Sequence, residues 1–175
     1  MSNARSYVTT ARRIEADRML YARLHVADED LGQATYFANH LLKKGWHFHP
    51  WERRWSTYMQ QSAYTTAAVI AYARPFTESR GWPKFPKRLI RYDEDQKELH
   101  RKVLSLRDEL YVHSHVPRWN IRPFKINGYA SAIESMPSMR LDTSEATRLL
   151  EMIGIVRSEI HDRLQELIGV VADET

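Results

Sequence analysis

Not one of the 175 residues is cysteine. That removes disulfides, thiolate metal sites and cysteine nucleophiles together, and it fits a chain that lives in the reducing cytoplasm. Long apolar runs are also missing. None approaches the ~20 residues of a membrane-spanning helix, and the N-terminus spreads Arg5, Arg12, Arg13 and Arg18 among polar residues where a secretory signal needs an apolar core. Glycine is scarce, at six residues, and forms no phosphate-cradling loop, nucleophile elbow or dinucleotide fingerprint. Nucleotide-hydrolysing and cofactor-dependent classes are therefore disfavoured. Charge of one sign is not in large excess either, with 26 Lys and Arg against 22 Asp and Glu. The expectation is a soluble cytoplasmic protein with no cofactor, no bound metal and no membrane partner, folded as a single domain over residues 1–175.

What is present is helical periodicity. Ala11, Ile14, Tyr21 and Leu24 suggest a first helix, and Asp28 or Asp30 is a suitable N-cap for a second that runs through Leu31, Ala34, Phe37 and Leu41 to Gly45. A long third helix is predicted from Pro50, with Trp51, Trp55, Tyr58, Ser62, Thr66, Ile70 and Ala73 as its apolar stripe and Pro75 as its stop. The fourth begins near Asp93 and has the cleanest seam, Leu99, Val103, Leu106 and Leu110, with Pro117 beyond it. From Arg118 to Leu141 the pattern dissolves, apart from an Asn127-Gly128 pair suited to a small hairpin. Asp142 followed by Glu145 resembles a capping box and opens a last helix through Leu149, Ile153, Val156, Ile160, Leu164 and Leu167. The fold class expected is all-α, an up-and-down bundle of about five helices with an irregular connector or small hairpin before the last.

Two segments carry chemistry. Between the third and fourth helices, Arg74, Arg80, Lys84, Lys87, Arg88 and Arg91 face only one acid, Glu78, and are interleaved with Phe76, Trp82 and Phe85. Cations for phosphates and flat rings for bases suit RNA; a proline-rich connector whose aromatics dock on the helices is the alternative. The second segment is Leu106-Arg107-Asp108-Glu109-Leu110-Tyr111-Val112-His113-Ser114, at the end of the fourth helix. Arginine offers a permanently charged fork for phosphate oxygens, and histidine titrates near neutrality. On an ideal helix Arg107 lies roughly 70° to one side of the apolar seam and His113 roughly 50° to the other. Two such side chains converge poorly within one straight helix, whereas an isologous dimer along the seam brings both pairs into a shared cleft. His100, seven residues before Arg107, lies near the same face. A separate run, His47-Phe48-His49, offers two imidazoles near Glu52 but reads better as a loop packed by tryptophans than as a metal site.

The Arg107-Asp108-x4-His113 arrangement on a late bundle helix, followed by Ser114, resembles the HEPN superfamily of α-helical ribonucleases and RNA-binding proteins, whose signature is Arg, four to six residues, then His. Ala71-Tyr72-Ala73-Arg74-Pro75-Phe76 at the close of a long helix is similar to bacterial members of that group. The resemblance runs from about the third predicted helix to His115. It implies a HEPN-like bundle and a metal-independent endoribonuclease, often a toxin or defence protein, acting as a homodimer with a composite site. Arg107 and His113 would be the catalytic pair and Asp108 the polar residue that follows the Arg. RNA contacts would come from Arg74, Arg80, Lys84, Lys87, Arg88, His100, Ser114 and His115. Some toxin members carry, two residues after the His, a Tyr that an antitoxin modifies; His115 stands there in this chain, which weakens the expectation of an antitoxin partner.

In that chemistry His113 serves as base on a ribose 2′-hydroxyl or as acid to the leaving 5′-oxygen, and Arg107 steadies charge on the phosphorane. Two other readings stay open. One is a noncatalytic RNA-binding module that uses the same positive cleft. The other is a helical interaction protein in which the Trp-rich helix is an interface, Arg107 pairs with Asp108, Glu109 or a neighbouring helix, and His113 merely suits a helix C-terminus.

Overall fold

The computed structural model describes residues 2–108, 120–135 and 140–172, with the backbone alone described at 2–11, 120–121 and 132–135. Among the described residues, four α-helices form the bundle: α1 (Ser2–Lys44), α2 (Trp55–Ala73), α3 (Glu94–Leu106) and α4 (Thr143–Val171). A two-stranded antiparallel hairpin, β1 (Asn120–Ile126) and β2 (Tyr129–Ser135), precedes α4. The all-α bundle with a hairpin before the last helix agrees with expectation; the count of about five helices does not. No helix among the described residues is long and apolar enough to cross a membrane.

The missing break lies at Asp28 and Asp30. Neither carboxylate caps a helix. Asp28 accepts two hydrogen bonds from Arg157 of α4, at 2.7 and 3.1 Å, and Asp30 accepts one from Arg74 at 3.1 Å. The Arg157 bonds hold Asp28 below the usual carboxylate range. Both acids join helices instead of starting one, so α1 runs through them for 43 residues. It ends where predicted. Gly45 adopts φ 61°, its N–H reaches the Leu42 carbonyl and that of Trp46 the Leu41 carbonyl, each at 3.0 Å. This pair of bonds is a Schellman motif, whose left-handed position favours glycine.

The start of α2 also differs from expectation. Pro50 lies in a turn before the helix, which begins at Trp55. Its buried residues are Tyr58, Gln61, Thr65, Ala68, Val69, Ala71, Tyr72 and Ala73, so the predicted stripe holds at Tyr58 and Ala73 but shifts by one position at Gln61, Thr65 and Val69, and Trp51 and Trp55 are exposed. Gln61 is the cause. Its amide is fully buried because it closes both ends of the Phe48 peptide, accepting from the Phe48 N–H at 2.9 Å and donating to the Phe48 carbonyl at 2.8 Å.

The later elements follow the sequence closely. Asp93 with Gln96 and Asp142 with Glu145 form full capping boxes at the starts of α3 and α4. Asn127 (φ 49°) and Gly128 (φ 85°) turn the hairpin, closing the Ile126–Tyr129 pair with the positive φ values of a type I′ turn. The core gathers Leu24, Leu31, Val69, Tyr72, Val103, Leu149, Ile153 and Ile160 between the helices. Leu99, Val103 and Leu106 seat α3 in it, each contributing on the order of 1.5–3 kcal/mol of apolar burial.

Candidate functional site

The α-helical turns of α3 end at Leu106, and Arg107 and Asp108 continue in a wider, π-type turn. The Arg107 N–H is shared between the Val103 and Leu104 carbonyls, so the backbone at the signature arginine is fixed from the helix side. Its side chain is 27% exposed, and the guanidinium pairs with the adjacent, 60% exposed carboxylate of Asp108. An ion pair this open contributes about 0–1 kcal/mol, so an incoming phosphate can replace the carboxylate at small cost. Among the described residues, Arg107 pairs with Asp108. His113, Ser114 and His115 lie outside the described residues, as do Glu109 and Leu110.

His100 lies one helix turn and more before Arg107, at the side of α3 that meets α2. Its Nδ1 is 2.8 Å from the Tyr72 hydroxyl, which is 3.1 Å from that of Tyr92. The rings of Tyr72, Phe76 and Tyr92 all meet the imidazole edge-on, with Phe76 nearest at 4.8 Å between centroids. Desolvation in this aromatic setting pulls the His100 pKa down to about 4 from an ordinary 6.5 and pushes Tyr92 up to about 12. His100 is therefore neutral at pH 7 and adds no positive charge toward an RNA strand. Tyr92 does not stand out in the sequence, and Tyr72 does so only as part of the segment that closes α2.

A histidine held neutral on folding makes stability depend on pH. Between pH 6.5 and about 4 the unfolded chain binds the proton that folded His100 refuses. The associated stability is complete above the unfolded value and lost as pH falls toward the folded one. After allowance for the half-open position of the ring, the loss is expected to be about 1–2 kcal/mol. Urea midpoints across that range should fall with pH in the parent and less steeply in His100→Asn, which accepts a hydrogen bond but does not titrate there. Equal slopes would refute the assignment.

The basic connector divides into two faces. Phe85 is buried and meets Phe76 edge-on at 5.2 Å, and Phe76 packs against Tyr72. These two rings dock on the helices and are not offered to bases, as the connector reading of the segment expects: a connector with few apolar residues buries those it has. Trp82 remains 37% exposed. The cations face outward. Arg80, Lys87 and Arg88 are exposed, Lys84 pairs with Glu78, and Arg74 at the end of α2 reaches Asp30. Lys84 and Lys87 border a cavity of about 220 Å³ floored by Phe76, Phe85 and Ile90.

His47, examined as a metal ligand, uses Nδ1 on the Leu141 carbonyl at 2.8 Å. Trp46 packs edge-on against His40 and Tyr64. No cluster of three or more His, Asp or Glu side chains among the described residues is placed to hold a metal ion. Comparison of the chain with models of known families, with curated proteins and with solved structures returns no match.

Proposed function

We propose that the protein is a HEPN-like, metal-independent endoribonuclease that cleaves single-stranded RNA in a homodimer, with Arg107 and His113 as its reacting pair. The observation that carries this reading is the setting of Arg107. It follows a helix seated by three buried residues, its backbone is held by two carbonyls, and its guanidinium pairs with an exposed carboxylate at the adjacent position. Such a group is rigidly based yet exchangeable at its tip, as a phosphate ligand requires.

In the proposed reaction His113 removes the proton of a ribose 2′-hydroxyl. The 2′-oxygen then bonds to phosphorus, the bond to the 5′-oxygen breaks, and the proton that His113 took up is returned to that leaving oxygen. Arg107 neutralises the charge that builds on the phosphoryl oxygens. Asp108 orients the guanidinium in the free protein and yields it when phosphate arrives. The products are a 2′,3′-cyclic phosphate and a 5′-hydroxyl, and DNA is resistant because it lacks the attacking group. A toxin or phage-defence role is consistent with this chemistry.

The test is incubation with labelled single-stranded RNA in excess chelator, with product ends analysed. Cleavage is expected to persist and to leave cyclic phosphate. Loss of cleavage on chelation, or RNA binding with no cleavage under any condition, would overturn the proposal and in the second case leave a noncatalytic RNA-binding module.

A further inference from the structure

We propose that the turn joining α1 to α2, with the start of α2, is a second surface that binds single-stranded RNA by stacking bases on Trp51 and Trp55. The rings are unusually open: Trp51 is 78% exposed, Trp55 58% and Met59, one helical turn further, 48%. Trp51 is already half of a stack, lying parallel to His49 at 4.6 Å between centroids with 5° between planes. An indole lying parallel on an imidazole and largely open to solvent is the arrangement into which a nucleobase extends the stack.

Charge selects the occupant. From Lys43 to Trp55 the chain has four basic residues, Lys43, Lys44, Arg53 and Arg54, against the single acid Glu52. All four are exposed. Arg53 is placed 4.2 Å over the Phe48 ring, which leaves its charge at the surface. Glu52 is occupied, with its carboxylate accepting from the His49 N–H at 2.7 Å. A second copy of the chain would set these cations against each other, whereas a phosphate backbone complements them.

The turn is also built to keep its shape. Gln61 fixes Phe48 from both sides, and Arg140 donates to the His47 carbonyl at 3.0 Å. These bonds tie the turn to α2 and to the residues that lead into α4. The same end of the bundle receives Arg107. α3 runs antiparallel to α4, with Asp95 beside Arg148 and Lys102 beside Glu145, so the C-terminal end of α3 is directed toward the start of α4. A strand held on the tryptophans is thus at the end of the bundle toward which α3 runs. The choice of RNA over DNA rests on the ribonuclease reading; the stacking and phosphate contacts stand on this face alone.

The experiment is fluorescence anisotropy of the full chain with a labelled 2′-O-methyl oligouridine, which cannot be cleaved, so binding is read apart from catalysis. Trp51→Ala should weaken binding about tenfold and Trp51→Phe much less, in keeping with base–aromatic stacking. Arg53→Gln with Arg54→Gln should reduce the slope of log affinity against log salt by about 1.4. Circular dichroism should match the parent, since the altered groups are exposed. Unchanged affinity in Trp51→Ala would overturn the proposal. So would loss of a parent dimer in that variant with RNA affinity retained, which would make the face a contact between copies. Tighter binding of the deoxy oligonucleotide would overturn RNA as the occupant.

Discussion

Arg23→Met is expected to lower the stability of the fold by about 3 kcal/mol, seen as a fall of roughly 6–12 °C in Tm for a chain of this size. Arg23 is only 5% exposed, yet its Nη2 donates to three carbonyls at the end of α2 and beyond it: Pro75 at 2.6 Å, and Arg74 and Thr77 at 3.3 Å. The Arg74 carbonyl also accepts from the Thr77 N–H at 3.3 Å, so the guanidinium chiefly serves the carbonyls of Pro75 and Thr77, where Pro75 and the tightened turn Arg74–Phe76 end the helix. The guanidinium therefore closes the negative end of the α2 dipole from a neighbouring helix. Burial pulls its pKa down while Asp30 acts in the opposite sense. Methionine keeps most of the volume and removes the donors that the Pro75 and Thr77 carbonyls use. Arg23→Lys retains the charge but loses the fork, so an intermediate loss is expected. A change below about 1 kcal/mol for the methionine variant would mean that the carbonyls are satisfied by solvent instead.

This arginine shows why some features of the bundle could be read from the chain and others could not. Local devices were legible: the helix start at Asp93, the capping box at Asp142, the Gly45 terminus and the Asn127-Gly128 turn each depend on residues within a few positions of one another. The seam of α3 was legible for the same reason, since its apolar spacing has no competing pattern. Polar residues with distant partners were not. Asp28 has the chemistry of an N-cap and instead binds Arg157, 129 positions away. Gln61 has the profile of a surface residue until the Phe48 backbone is placed against it. Tryptophan misled in the other direction, because indoles at three- and four-residue spacing resemble a core stripe whether or not anything covers them.

The site is legible to a smaller extent. Its arginine was placed on a helix end from sequence, and the described residues agree with that position. His100 was assigned to a cleft by angle alone, and angle does not register that Tyr72 and Tyr92 close over its Nδ1 side from other segments. The connector shows the same limit. Alternation of rings and cations is visible in the chain, but which of the rings turns inward is decided by the α2–α3 junction they pack on.

Arg107→Ala and His113→Ala are each expected to reduce RNA cleavage by about 10²–10⁴-fold, the range lost with a general acid–base or charge-stabilising group. The more discriminating result comes from mixing them. If an Arg and a His of one subunit served the same phosphate, a mixed dimer would contain only broken pairs. On an ideal helix the two residues fall on opposite sides of the apolar seam, which argues for pairs made across the dimer axis. In a mixed dimer the His113 of one subunit then meets the intact Arg107 of the other. Random exchange makes half the molecules mixed, each with one of two half-sites restored, so activity should recover to about a quarter of the parent level. Recovery needs subunit exchange, which a labelled-subunit assay reports independently. Mixed dimers that form and remain as inactive as either parent variant would refute the composite site. Arg107→Lys supplies the control for charge alone: it keeps the cation but not the bidentate fork, and should regain less than the mixed dimer does.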